Sequence, residues 1–229
     1  MPYVSPYRFL KAKLTTIVLA SLVFSPLQAA ESSDMFDNLV PVENAKVGAA
    51  FIDPEADFGT YRQVILLDTF VAFKANWERD QRRQSRTARV SAADMDRIKS
   101  DVATLFNEVM VETLEANDGF PVVDAPDYDV LLLRAAIIDL DITAPDTMSA
   151  GRTTSFTATT GAATMYLELY DSVSGQIIGR AADRSVIRDS TGRVSWSNRV
   201  TNTQDARRMF RRWADLLRSF LDSHYSGAE

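Results

Sequence analysis

The chain has 229 residues, a formal net charge of −6, one histidine and no cysteine. Without cysteine it forms no disulfide, no thiolate metal site and no thiol-based catalytic centre. An acidic chain is a poor match to nucleic-acid binding, and one histidine leaves little basis for a histidine-assisted nucleophile. Neither a P-loop nor a Gly-x-Gly-x-x-Gly segment occurs among the nine glycines, so no nucleotide or other cofactor is predicted.

Residues 1–30 have the three-part pattern of a secretory signal peptide. Basic residues come first, an apolar run covers residues 14–24, and small residues follow at Ala29 and Ala30. The run is shorter than the roughly 20 residues that span a bilayer, which favours cleavage near Ala29 or Ala30 over an uncleaved anchor. We therefore expect an exported, periplasmic protein. Because no cysteine follows the leader, the acceptor for lipid attachment in a bacterial lipoprotein is missing.

After the leader, the sequence predicts a lead-in segment and then one folded domain. Residues 31–60 are interpreted as an extended lead-in, and one α/β domain is expected over residues 61–224. The segment 62–73 is rich in β-branched and aromatic residues and predicts a first strand. The arginine-rich segment 76–90 predicts a loop or the polar start of a helix.

The strongest helix signal follows residue 91. Ser91, with Asp94 three residues later, is typical of a capping box. Apolar residues then recur at helical spacing as far as Leu114. Gly119 is predicted to end this helix in a left-handed conformation.

Residues 129–143 predict the longest strand. Both of its faces are apolar over most of its length, which favours a central strand covered on both sides. Asp139 and Asp141 stand two apart near its end, so a regular strand would place them on one face. They are the candidate ligands for a hard cation, or a candidate acid/base pair. The alternative is that these acids face water or form ion pairs.

Residues 155–170 and 176–190 predict a hairpin around a short polar turn. Arg180 and Arg184 alternate on one face of its second strand, and Glu168 is expected diagonally beside Arg180. One interpretation is an ion-pair ladder on a solvated sheet face. The other is a groove for an anionic ligand.

A final helix is predicted to begin near Asn202. Arg207 and Arg211, like Arg208 and Arg212, stand four apart and stack into a basic stripe. Such a stripe suits contact with an anionic membrane surface or an envelope protein, and the alternative is a solvated basic face. The apolar stripe of the helix consists of Ala206, Met209, Phe210, Trp213, Leu216, Leu217, Phe220 and Leu221.

The element order is strand, helix, strands, helix. It predicts the α/β (α+β) class, as a single domain with a mixed sheet of four to five strands. The two long helices are expected to pack mainly on one face of the sheet.

Several stretches resemble one bacterial family. They are FIDP at 51–54, LLLRAAIIDLDITAP at 131–145, LELYDS at 167–172, and Trp213-Ala214 in the last helix. The chain resembles the exported proteins grouped as domain of unknown function 3313, over residues 50–222. The resemblance implies an envelope location and no particular activity. The family is mostly described as lipoproteins, and this chain departs from that pattern because it has no cysteine.

Two functions of different classes remain open. The first is a non-enzymatic periplasmic binding or interaction module, whose partner is an envelope protein or an anionic membrane surface. The alternative is a carboxylate-based enzyme or small-ligand binder that works at Asp139 and Asp141.

Overall fold

The computed structural model describes residues 38–84, 90–143, 157–187 and 199–225, and the predicted signal peptide lies outside them. These residues form one α+β domain, as predicted, with a mixed sheet of seven strands instead of four to five. The strands are β1 Val40–Pro41, β2 Ala49–Ile52, β3 Gln63–Leu66, β4 Phe70–Phe73, β5 Val130–Thr143, β6 Thr157–Asp171 and β7 Ile177–Ile187. The helices are α1 Trp77–Gln84, α2 Ala92–Glu115 and α3 Arg199–His224. Within the described ranges, none of these helices is long and apolar enough to span a bilayer.

The strand order is β1-β2-β7-β6-β5-β3, and β4 also pairs with β5. β3 and β4 run parallel to β5 at successive positions along it, and the other pairs are antiparallel. The predicted first strand is therefore two strands, which are separated by residues 67–69. β1 and β2 come from the predicted lead-in and extend the sheet past β7. These differences account for the larger strand count.

The two long helices, α2 and α3, pack on the same face of the sheet, as predicted. Under them lie the odd-numbered residues of β5, such as Leu131, Leu133 and Ile137, which are fully buried. Phe106 of α2 and Phe210 of α3 meet edge to face, with ring centroids 5.4 Å apart. The even-numbered residues from Leu132 to Ile138 are half-buried or exposed, whereas Val130, Leu140 and Ile142 are buried. The described helices therefore cover the middle of β5 on one face only, and the prediction that both faces are covered is wrong there.

The capping box at the start of α2 is confirmed. The Ser91 side chain accepts from the backbone N–H of Asp94, and the Asp94 side chain accepts from the backbone N–H of Ser91. The Ser91 hydroxyl also donates to the Asp94 carboxylate, and this bond, followed by the bond from the Ser91 amide, lowers the pKa of that carboxyl. The helix begins where this local sequence predicts because two of its free amide donors are satisfied there.

The end of α2 differs from the prediction for Gly119. Asn117 and Asp118 take the left-handed conformation, with φ of 53° and 54°, and Gly119 does not. Glycine is required at 119 because a Cβ there would overlap the guanidinium of Arg218 and the carbonyl oxygen of Leu114. Arg218 Nη1 donates to that carbonyl at 2.9 Å, so a side chain of α3 caps the end of α2.

A polar contact joins the hairpin turn to the start of β3. The Tyr61 hydroxyl donates to Asp171 Oδ2 at 3.1 Å, and Ser174 donates to Asp171 Oδ1 from its amide and its hydroxyl. Burial, and then the charge of Asp171, raise the pKa of Tyr61. Burial also acts to raise the pKa of Asp171, but the hydrogen bonds from Ser174 and Tyr61 outweigh it, and that pKa is lowered.

Candidate functional site

The helix-facing side of the sheet changes from large to small side chains toward the β2 edge. The central strands β5 and β6 present large apolar residues, such as Leu133 and Leu167. On β7 and β2 the paired positions Ala181 and Ala50 carry single methyl groups. Gly179 of β7 is also small, and a Cβ at this position would lie only 3.0 Å from a methyl group of Leu169. The small residues leave space between this end of the sheet and the helix above it.

The second half of α3 forms the roof of this space. Trp213 and Leu217 are buried, whereas Leu216 and Phe220 are half-buried although both are large and apolar. The resulting cavity has a volume of about 300 Å³ and is mostly apolar. Other apolar residues that line it are Val42, Ala45, Val47, Phe51, Ile52, Met165, Leu167 and Leu169.

The polar groups of the cavity lie at its rim. Lys46, in the loop between β1 and β2, is exposed, as are Ser219 and Ser223 of α3. Arg180 also lines the cavity, but its side chain forms an ion pair with Glu168 at 2.9 Å on the opposite face of the sheet. Among the described residues, the cavity is therefore an apolar pocket with the cation of Lys46 at its mouth.

A buried carboxylate holds the roof and one wall of the cavity together. Asp183 of β7 is 7% exposed and accepts three hydrogen bonds. The donors are Trp213 Nε1 at 2.8 Å, Arg212 Nη1 at 2.9 Å and the backbone amide of Gly48 at 3.0 Å. One side chain thus connects α3, the sheet and the loop that carries Lys46.

The predicted hairpin arginines lie on the face of the sheet opposite to the helices. Glu168 of β6 lies directly across from Arg180 of β7 and not diagonally, because the register of β6 against β7 near the turn differs from the predicted one. On its other side, Glu168 lies directly across from Arg134 of β5. The Tyr170 hydroxyl donates to Glu168 Oε2 at 2.9 Å, and its pKa is raised, first by burial and then by this bond. Arg184 is exposed on the same face. The described contacts of Glu168 form an ion-pair ladder across three strands.

The predicted basic stripe of α3 is matched by acids of the same protein. Arg207 pairs with Glu108 and Glu112 of α2, and Arg211 also pairs with Glu112, at 3.1 Å. Arg212 is engaged with the buried Asp183, and Arg208 pairs with Asp205 on its own helix. Much of the positive charge of α3 is therefore balanced within the fold.

The two candidate carboxylates lie at a β-bulge. Asp139 has a φ of 51°, and the register of β5 against β6 shifts between Ile138 and Asp141. Asp139 is exposed, and Asp141 forms an ion pair with Lys74 at 2.6 Å. Among the described residues, no three His, Asp or Glu side chains come together as a metal site would need.

The cavity has little signal in the sequence. Leu216 and Phe220 follow the helical period of the core stripe, so their partial exposure has no signal in the sequence. The available signal was the alternation of Gly179 and Ala181 on one face of β7, since small residues in a strand mark sites where another group approaches closely.

The solved structures that are similar to this chain share low sequence identity and low TM-scores with it, as three of them illustrate. Protein XCC0632 from Xanthomonas campestris, of family DUF330, is 11% identical with a TM-score of 0.40, and the match covers 71% of this chain and 88% of that one. The PelC dodecamer from Paraburkholderia phytofirmans is 11% identical with a TM-score of 0.39, covering 70% and 90%. The rare lipoprotein B from Shewanella oneidensis is 17% identical with a TM-score of 0.27, covering 52% and 86%. Likeness at this level carries no information about ligand or partner.

No curated protein matches the chain significantly. The family model described as "Protein of unknown function (DUF3313)" matches residues 27–217, which is most of the sequence. The match includes both long helices except the end of α3, and every strand of the sheet. The chain therefore belongs to the DUF3313 family.

Proposed function

We propose that this protein is a non-enzymatic binding module of the cell envelope, which holds an apolar ligand in the cavity beneath α3. Export to the periplasm rests on the leader pattern of residues 1–30. Binding rests on the cavity itself. The ligand enters at the rim beside Lys46 and lies against the buried residues at the bottom.

The observation that carries the proposal is an apolar cavity that none of the described residues fills. Ligand sites are typically apolar concavities of about 300–1,000 Å³ with a few polar groups that orient the ligand, and this cavity matches that description. Leaving apolar space unfilled is destabilising, because the lining atoms lose their packing partners. A ligand would supply the missing contacts.

The non-enzymatic part of the proposal rests on the sequence. The one histidine, His224, lies in the last turn of α3, where its Nδ1 is 2.8 Å from the Phe220 carbonyl oxygen. It is exposed at the end of the helix and packs against the rings of Phe58 and Phe220. Among the described residues, no carboxylate bonds to its ring to orient it as a catalytic base.

The experiment is a titration of the purified protein with Nile red, a neutral apolar dye whose emission rises in apolar surroundings. The test variant is Ala181→Leu, which places an isobutyl group in the cavity. The matched control is Ala182→Leu, which makes the same change on the opposite face of β7. We expect saturable binding to the wild type and to the control, and at least tenfold weaker binding to Ala181→Leu. No binding by the folded wild type, or equal binding by both variants, would contradict the proposal.

The other predicted contacts receive less support. Membrane binding through α3 would use arginines such as Arg207 and Arg211, which already pair with acids of α2. Carboxylate chemistry would use Asp139 and Asp141, whose described surroundings offer an ion pair with Lys74 and no third acid. Neither idea has an observation as direct as the cavity.

A further inference from the structure

We infer that the ligand of this cavity is an anionic amphiphile with a single unbranched alkyl chain, such as a free fatty acid of medium length. The inference rests on the proposed function and adds the chemical class of the ligand. The chain occupies the apolar space below α3, and the carboxylate lies at the rim beside Lys46.

The volume of the cavity sets the size of the apolar part. A volume of about 300 Å³ corresponds to about ten groups the size of a water molecule, at about 30 Å³ each. A methylene group is of similar size. The space therefore suits one chain of about ten carbons and is too small for the two long chains of a phospholipid.

The lining sets the chemistry of the chain. Met165, Leu167 and Leu169 form the bottom on the sheet side, and Trp213 and Leu217 close it on the helix side. All five are buried and apolar apart from the indole N–H, which is already bonded to Asp183. These five side chains offer no further hydrogen bond to a ligand at the bottom of the cavity, so an unsubstituted hydrocarbon chain fits there best.

The charge at the rim sets the head group. Lys46 is the cation of the lining whose side chain remains on the cavity side, because Arg180 reaches Glu168 across the sheet. No ion pair joins Lys46 to a carboxylate within the described part of the chain. In a protein with a net charge of −6, an exposed lysine at the mouth of an apolar pocket favours an anionic head over a neutral or cationic one.

The experiment compares acids and alcohols of the same chain length by isothermal titration calorimetry, below their micellar concentrations. For octanoate, nonanoate and decanoate, the affinity for the wild type should rise about fourfold per methylene, since each buried CH₂ contributes about 0.8 kcal/mol. The rise should stop beyond about ten to twelve carbons, because the cavity is then full.

The charge is tested with Lys46→Gln, which should weaken decanoate binding about twofold to fivefold, as expected for an exposed ion pair. The same variant should leave 1-decanol binding unchanged. Lys99→Gln is the matched control, because this substitution removes the same charge from α2, where Lys99 pairs with Asp96. Co-sedimentation with phosphatidylglycerol vesicles tests whether the protein binds an alkyl chain in a bilayer or a free ligand in solution.

The outcomes distinguish the two proposals. If neither decanoate nor 1-decanol binds the wild type while Nile red does, the ligand class is wrong and the binding cavity stands; if Nile red does not bind either, both proposals fail. If both bind and Lys46→Gln affects them equally, or if affinity does not depend on chain length, the ligand class is wrong and the binding cavity stands. Capture by vesicles without binding of free decanoate would also overturn the fatty-acid assignment.

Discussion

Replacing the buried carboxylate of Asp183 with a methyl group tests how the cavity wall is held. In Asp183→Ala the Trp213 indole N–H and the Gly48 amide lose their acceptor, and the half-exposed Arg212 can turn to water. The buried Trp213 donor costs about 1–3 kcal/mol when it is left without a partner, and the bond from the exposed Gly48 contributes about 0.5–1.5 kcal/mol, so the expected loss is about 2–4 kcal/mol. This is a large part of the roughly 5–15 kcal/mol that stabilises a typical domain.

The measurement is urea unfolding followed by far-UV circular dichroism. A double-mutant cycle with Trp213→Phe, which keeps an aromatic ring and removes the N–H, isolates one of the three bonds. The double variant should lose less than the sum of the single variants by about 1–2 kcal/mol, because the two partners are in direct contact. Asp215→Ala is the control, since Asp215 is an exposed acid on the same helix, and its effect should stay within about 0.5 kcal/mol.

Two results would refute this reasoning. One is a loss of less than about 1 kcal/mol in Asp183→Ala, which is below the cost of a single unsatisfied donor. The other is a coupling energy near zero between Asp183 and Trp213, which would mean that their hydrogen bond does not contribute in solution.

Three further predictions follow from local contacts. Gly119→Ala should lower the free energy of unfolding by about 2–4 kcal/mol in urea titrations, because the new Cβ displaces the charged cap that Arg218 places on α2. Asp171→Asn should lower the melting temperature at pH 7 and have less effect below about pH 4. The pKa of Asp171 is lowered in the fold, so its contribution is present above the unfolded pKa and is lost as the pH falls through the folded one. Arg208→Gln should weaken binding to anionic vesicles, measured by co-sedimentation, by less than about fivefold, because one exposed charge contributes about 1 kcal/mol at most near an anionic surface and Arg208 already pairs with Asp205.

The parts of the fold that were predicted are the parts with local signals. α2 combines a capping box at Ser91 with an apolar period that continues to Leu114, and the structure confirms both. The hairpin of β6 and β7 surrounds a turn with Gly175 at a φ of 70°, which its sequence also indicates. In each case, residues that are close in the sequence determine the structure.

The parts that were missed depend on distant pairing. β2 contains Ala49 and Ala50, which have low strand propensity, and it becomes a strand because it pairs with β7, from which it is far in the sequence. The break between β3 and β4 likewise follows from how each pairs with β5. The bulge at Asp139 changes which residues of β5 face the core, and spacing alone gave no indication of it.

The cavity belongs to this second group for a physical reason. Ala50 and Ala181 are ordinary small residues until the register of β2 against β7 places them side by side on one face. The helix above them is held by the bonds of Asp183, and Gly48 is one of the donors. The space therefore arises from three segments that are distant in the sequence, and its polar anchor is buried beside it. The same arrangement links the ligand site to stability, because the residue that positions the roof of the cavity also fixes the loop that carries Lys46.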